Sequence, residues 1–211
     1  MKMKKLCEKL AKCDRAKEVI KILKKESYWD NPNNWEIYGN LPNNWSIIGA
    51  QQTKAITALV EKIVNLGDSV LINECILLGI DPEDIKNTPK SVRKAVEKFL
   101  NIPNGDVSTL DKRQRTNLAR KMKAGVVTTG SKTHPTYTVF DQGEGQEPEH
   151  FKDTFLALAK NNKNKIPFVQ GKHCSGSTGA IRFCKDGIQL IISRRNPNLK
   201  EPNASDDIGD R

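Results

Sequence analysis

The chain has 211 residues, enough for one sizeable core, and reads as one domain with a helical N-terminal extension. Its formal net charge of +10 suits a polyanionic partner, nucleic acid or nucleotide phosphate alike, without choosing between them. None of its 5 cysteines forms a CxxC pair, and neither a secretory h-region nor an apolar run near the roughly 18 residues of a membrane span occurs; this points to reduced thiols in the cytoplasm and away from a transmembrane protein.

From the N-terminus, Met1 to Glu26 is dense in lysine, with Leu6, Leu10, Ile20 and Leu23 at helical spacing, which predicts a basic amphipathic helix. Such a helix either packs on its own domain or touches nucleic acid, a membrane surface or a partner. Trp29 to Trp35 and Leu41 to Trp45 repeat Pro-Asn-Asn-Trp, and the turn-forming Pro and Asn beside large Trp anchors predict an irregular strap over the domain. Residues 1–45 are thus set apart from a domain at 46–195, with a polar, aperiodic tail at 196–211 read as loop or disorder.

Within the domain, a long helix is expected from about Gln52 to Leu78, then a turn at Gly79 to Pro82 and a helix from Thr88 to Leu100 with Pro89 in its first turn. Asn101 to Asp106 breaks the chain, and Asp111 to Lys123 resumes as a basic helix carrying Arg113, Arg115, Arg120, Lys121 and Lys123. Val126 to Thr129 and Tyr137 to Phe140 flank a turn-prone stretch and predict a hairpin. Phe151 to Lys160 looks helical, Ile166 to Val169 is a short apolar run, and Gly187 to Ser193 reads as a strand. Helices followed by strands favour an α+β fold, with a helix layer on a mixed sheet.

Three motifs carry chemistry. Glu61, Asn65 and Asp68 fall within roughly 60° of one another on a helix of about 100° per residue, so one face holds all three among apolar neighbours. That face is a solvated stripe or a place for a hydrated cation and a water. In Val139 to Gln146 an apolar run delivers Asp141 into Gly143 and Gly145, an ordinary turn or a carboxylate able to accept from an exocyclic amine beside a closely approaching flat ring. Gly171, Lys172, Gly176 and Gly179 precede the apolar Ala180 to Phe183, forming a surface loop or a cradle of backbone N–H groups for phosphates. Neither a P-loop nor a dinucleotide fingerprint is present. His150, His173, Cys174 and Cys184 fit no usual zinc spacing.

Taken together and in this order, the three resemble the GHKL ATPases, the group of gyrase, the large heat-shock chaperones, histidine kinases and MutL, over roughly Ile47 to Arg195. Ala58 to Ser69 resembles the family's N box, Asp141 to Gly145 its first glycine box, and Gly171 to Gly179 its nucleotide lid. Pro148 to Phe151, Ile166 to Gly171 and Ile191 to Arg195 are more narrowly similar to uncharacterised bacterial ATP-binding proteins of this superfamily, some of them beside mobile-element defence genes. The resemblance implies a Bergerat ATP-binding fold, a two-layer sandwich with helices on one face of a mostly antiparallel sheet, serving as a slow Mg²⁺-ATP-hydrolysing switch. It makes Glu61 the general base, Asn65 the Mg²⁺ ligand, Asp141 the acceptor of the adenine amino group, and Gly143 and Gly145 the room for the base. The Gly171 to Gly179 loop, with Lys172 and Gly176, closes over phosphates, and Asp68 supports the site from behind.

Asn65-Leu-Gly-Asp-Ser69 departs from the family's Asn-Ser-x-Asp-Ala, with Gly67 costing roughly 1 kcal/mol of helix stability, and His173, Cys174 and Ser177 make a more polar lid. A later threonine-bearing strand has no counterpart after Ile191; a fragment, a truncated paralogue or a domain completed by a partner subunit are the readings this leaves, beside the homodimer that the family implies. The rival functions are a basic nucleic-acid-binding protein with a degenerate pocket and a non-catalytic ATP-binding interaction module.

Overall fold

A computed structural model describes residues 3–38, 54–154, 163–171 and 179–199. The basic N-terminus forms two helices where one was expected, α1 (Met3–Leu10) and α2 (Ala16–Lys25). The chain turns between them, where Asp14 donates its backbone N–H to the Glu18 carboxylate at 3.0 Å. Folding back on itself lets both apolar stripes bury against each other: Leu6, Leu10 and Val19 form a small cluster with Cys13, Ile22 and Leu23 around them. Val19 rather than Ile20 takes the buried position on α2.

The expected strap differs too in what its tryptophans do. Trp29 and Trp35 meet edge to face at 4.9 Å, and the Trp35 indole donates to the Trp29 carbonyl at 2.7 Å. Trp35 stays 53% exposed, so the pair closes a local turn over the one-turn 3-10 segment Pro32–Asn34 and is not a core anchor. The second Pro-Asn-Asn-Trp copy lies outside the described residues.

The long helix is present as α3 (Ala55–Leu77), and Gly79, at φ +72°, turns the chain after it. The next helix, α4 (Val92–Leu100), begins later than the sequence suggested. Ser91 takes the N-cap position, accepting from the Lys94 N–H at 3.3 Å, which leaves Pro89 before the cap. Asn101, in the left-handed region, ends it. α5 (Lys112–Met122) carries a full capping box between Asp111 and Gln114.

The main core joins α3 and α4 to a segment far down the chain. Leu71, Ile72 and Cys75 pack with Ala95, Val96, Phe99 and Ile102 against Ile166, Phe168 and Val169. Phe168 is fully buried and meets Phe99 edge to face at 5.6 Å. Burying this apolar run, at roughly 1.5–3 kcal/mol per large side chain, fixes the backbone that follows it.

β1 (Gly125–Ser131) and β2 (His134–Phe140) pair antiparallel as the expected hairpin, Gly125 opposite Phe140 and Ser131 opposite His134. β2 packs against α3, and the Thr136 hydroxyl donates to the Asp14 carbonyl at 2.7 Å, tying the helical N-terminus to the sheet. The architecture is α+β with a two-stranded sheet among the described residues. The expected strand at Gly187 to Ser193 makes no ladder there. At its end the Ser193 hydroxyl accepts from the Gln146 N–H, in a Glu144 to Gln146 stretch that is itself irregular. Pro148–Asp153 forms a 3-10 segment, and most of the helix expected from Phe151 to Lys160 lies outside the described residues. No described helix is long and apolar enough to cross a membrane.

Candidate functional site

α3 builds one wall of the site. Glu61, Asn65, Ser69 and Asn73 recur every fourth residue, with Asp68 beside them, so a polar stripe runs along a helix whose C-terminal half supplies Leu71, Ile72 and Cys75 to the core. Glu61 and Asn65 are half-buried, while Asp68 and Asn73 are only 3% and 4% exposed. Buried polar groups this deep need partners, and each finds one from another part of the chain.

Asp68 holds the segment that follows Phe168. Its carboxylate accepts the Gln170 N–H at 3.0 Å and the Gly171 N–H at 2.7 Å. Once Phe168 is buried, these amides emerge over α3, and a buried carboxylate is the acceptor that satisfies both. Gly171 sits so close that a β-carbon there would press on the Asn65 amide oxygen and the Asp68 carboxylate. The start of the glycine loop therefore lies directly on the Asn65–Asp68 face.

Ser69 holds the other segment. Asp141 Oδ1 accepts from the Ser69 hydroxyl at 3.2 Å and from the Gly143 N–H at 2.8 Å. Asp141 is exposed, and its Oδ2 has no hydrogen-bond partner among the described residues, so one carboxylate oxygen is fixed and the other is open to a donor. The two glycines also make close contacts within the protein itself. A β-carbon at residue 143 would collide with the Ser69 side chain, and one at residue 145, where φ is +64°, would collide with the Arg194 carbonyl. Both are required first by packing of the protein on itself.

A further segment of the chain closes the back. Gln146 N–H donates to the Ser193 hydroxyl at 3.0 Å, Asn196 N–H to the Glu144 carbonyl at 2.9 Å, and the Asn196 amide to Asn73 Oδ1 at 2.7 Å. Arg195 pairs with Glu144 at 3.3 Å. Burial pushes the Glu144 carboxyl up, and Lys163 and Arg195 oppose that by favouring its charge. Arg195 Nε is buried with no hydrogen-bond partner among the described residues.

Of the residues singled out from the sequence, Asn65, Asp68 and Gly171 meet at one end, and Asp141 and Gly143 join α3 through Ser69. Glu61 lies one turn before Asn65 on the same face. Gly179 is buried before the one-turn segment Ile181–Phe183, while Lys172 and Gly176 lie outside the described residues. Ser69, Asn73, Ser193, Arg195 and Asn196 were not singled out as site residues. The four-residue repeat from Glu61 to Asn73 was a signal for the first two; nothing local marks the others. Comparison with family models, curated proteins and solved structures gives no match.

Proposed function

We propose that the chain binds Mg²⁺-ATP and hydrolyses it slowly, as a conformational switch of the GHKL type on a Bergerat two-layer sandwich. The observation that carries this reading is the convergence on α3 of an Asp-x-Gly turn, held through Ser69, and a glycine-loop entry, held through Asp68. Asp141 Oδ2, without a hydrogen-bond partner among the described residues, suits the adenine amino group. Asn65 offers a single amide oxygen, a donor that would hold a Mg²⁺. The cation, when bound, supplies charge neutralisation at the phosphates. Glu61, one turn away, would serve as the base that orients and deprotonates the attacking water, and Asp68 would position the loop without touching nucleotide. Gly171 opens a loop whose remaining glycines and Lys172 are assigned to the phosphates from the sequence pattern. A homodimer or a subunit completing the sheet, and a cytoplasmic setting, belong to the same proposal.

A thermal-shift measurement with Mg²⁺-ATP tests it. Ligand at a hundredfold over Kd stabilises by about 2.7 kcal/mol, a rise of about 5–10 °C for a chain of this size. Asp141→Asn is expected to lose the shift, while Glu61→Ala keeps it and loses phosphate release. Absence of any shift in the wild type sinks the reading, and binding without turnover moves it to a non-catalytic ATP-responsive module.

A further inference from the structure

We propose that the outward face of α5 is a docking surface for the phosphate backbone of double-stranded DNA. Lys112, Arg113, Arg120 and Lys121, with Thr116 and Asn117 between them, fall on one half of the helix cylinder, and all six are exposed. Five of them, Lys121 excepted, line a shallow concavity. The opposite side faces the protein: Leu118 packs on the main core, Met122 is half-buried, and Arg115 turns back to donate to the Leu110 carbonyl at 2.7 Å.

A helix built only for solvent is ordinarily held by opposite charges at i,i+3 or i,i+4. α4 follows that rule with Lys94 and Glu97 at 2.9 Å. α5 has no acidic residue between Lys112 and Met122, and its four outward cations make no ion pair among the described residues. Their mutual repulsion is relieved by a polyanion.

The chemistry of the face selects which polyanion. It has no aromatic side chain on which single-stranded bases could stack, and no apolar side chain to insert into a lipid interface. A helix of this length, about 16 Å, enters the roughly 12 Å major groove of B-form DNA with cations reaching both strands, whereas the deep, narrow groove of A-form RNA excludes it.

Fluorescence anisotropy of a labelled DNA duplex, titrated with the full chain over a salt series without nucleotide, tests this independently of the ATP reading. The expected result is binding whose log-log salt slope is about −3 from this face. The triple variant Arg113→Glu, Arg120→Glu, Lys121→Glu is expected to bind roughly ten- to a hundredfold more weakly with a correspondingly flatter slope. Circular dichroism checks that it is folded; should charge reversal unfold it, Arg113→Gln with Arg120→Gln gives the same test in a milder form. A control, Lys4→Glu, Lys5→Glu, Lys9→Glu on α1, should bind like wild type. The proposal is overturned by absence of duplex binding at low salt, or by loss of binding in the α1 variant and not in the α5 variants. Equal or better competition by single-stranded DNA, duplex RNA, polyglutamate or anionic vesicles overturns it as well.

Discussion

Replacing Asp68 by alanine removes the acceptor from two backbone amides at once, Gln170 and Gly171, in a place where the residue is 3% exposed and water cannot substitute freely. A hydrogen bond to a charged acceptor contributes about 1.5–3 kcal/mol, so Asp68→Ala is expected to lower stability by roughly 3 kcal/mol in urea unfolding, and Asp68→Asn, which keeps one acceptor oxygen, by less. Lys62, the neighbour of Glu61, makes a different prediction. Burial pulls its ammonium down from 10.5 to about 8, although Cys184 and Glu61 nearby favour the charge. Between those values the folded chain has released a proton that the unfolded chain retains, so stability rises with pH from about 8. Above 9, Cys75 and Cys184, whose thiols burial pushes up, act with the opposite sign, because the folded chain then holds protons that the unfolded one has lost. The wild type should therefore gain stability between pH 8 and 9 in denaturant titrations. Lys62→Met should not.

At the scale of elements, α5 illustrates a helix held by its ends. No residue in it is fully buried, so its capping box carries an unusual share of its stability: Gln114 N–H to Asp111 at 2.7 Å and Asp111 N–H to Gln114 at 2.8 Å. Asp111→Ala is expected to cost about 1 kcal/mol, visible as faster hydrogen exchange of the α5 amides with little change in the global unfolding midpoint. The helices were the most legible elements, because a 3.6-residue apolar period and the caps lie within a few residues of each other. That locality also explains the errors. Asp14 and Arg15 interrupt the N-terminal helix without a Gly or Pro to announce it, and Ser91 captures the α4 cap from Pro89. The Ile188–Ile192 run has strand chemistry, but a ladder needs a neighbouring strand, and none pairs with it among the described residues.

At the scale of the molecule, the site is made of contacts between residues far apart in sequence: Ser69 to Asp141 across 72 positions, Asp68 to Gly171 across 103, Asn73 to Asn196 across 123. The sequence by itself determined which side chains α3 would present on one face, since helical geometry is local and the spacing of Glu61, Asn65 and Asp68 suffices. It also placed a carboxylate before two glycines and a glycine-rich stretch after an apolar run. That Asp141 and Gly171, the first residue of that stretch, both reach this helix is a matter of tertiary packing. The burial of Phe168 against Phe99 delivers the Gln170 and Gly171 amides to Asp68, and Ser69 receives Asp141. The same packing sets Gly143 against Ser69 and Gly145 against Arg194, so a side chain at either position would collide. It brought in Ser193, Arg195 and Asn196, whose part in the site depends on long-range packing that no local pattern encodes.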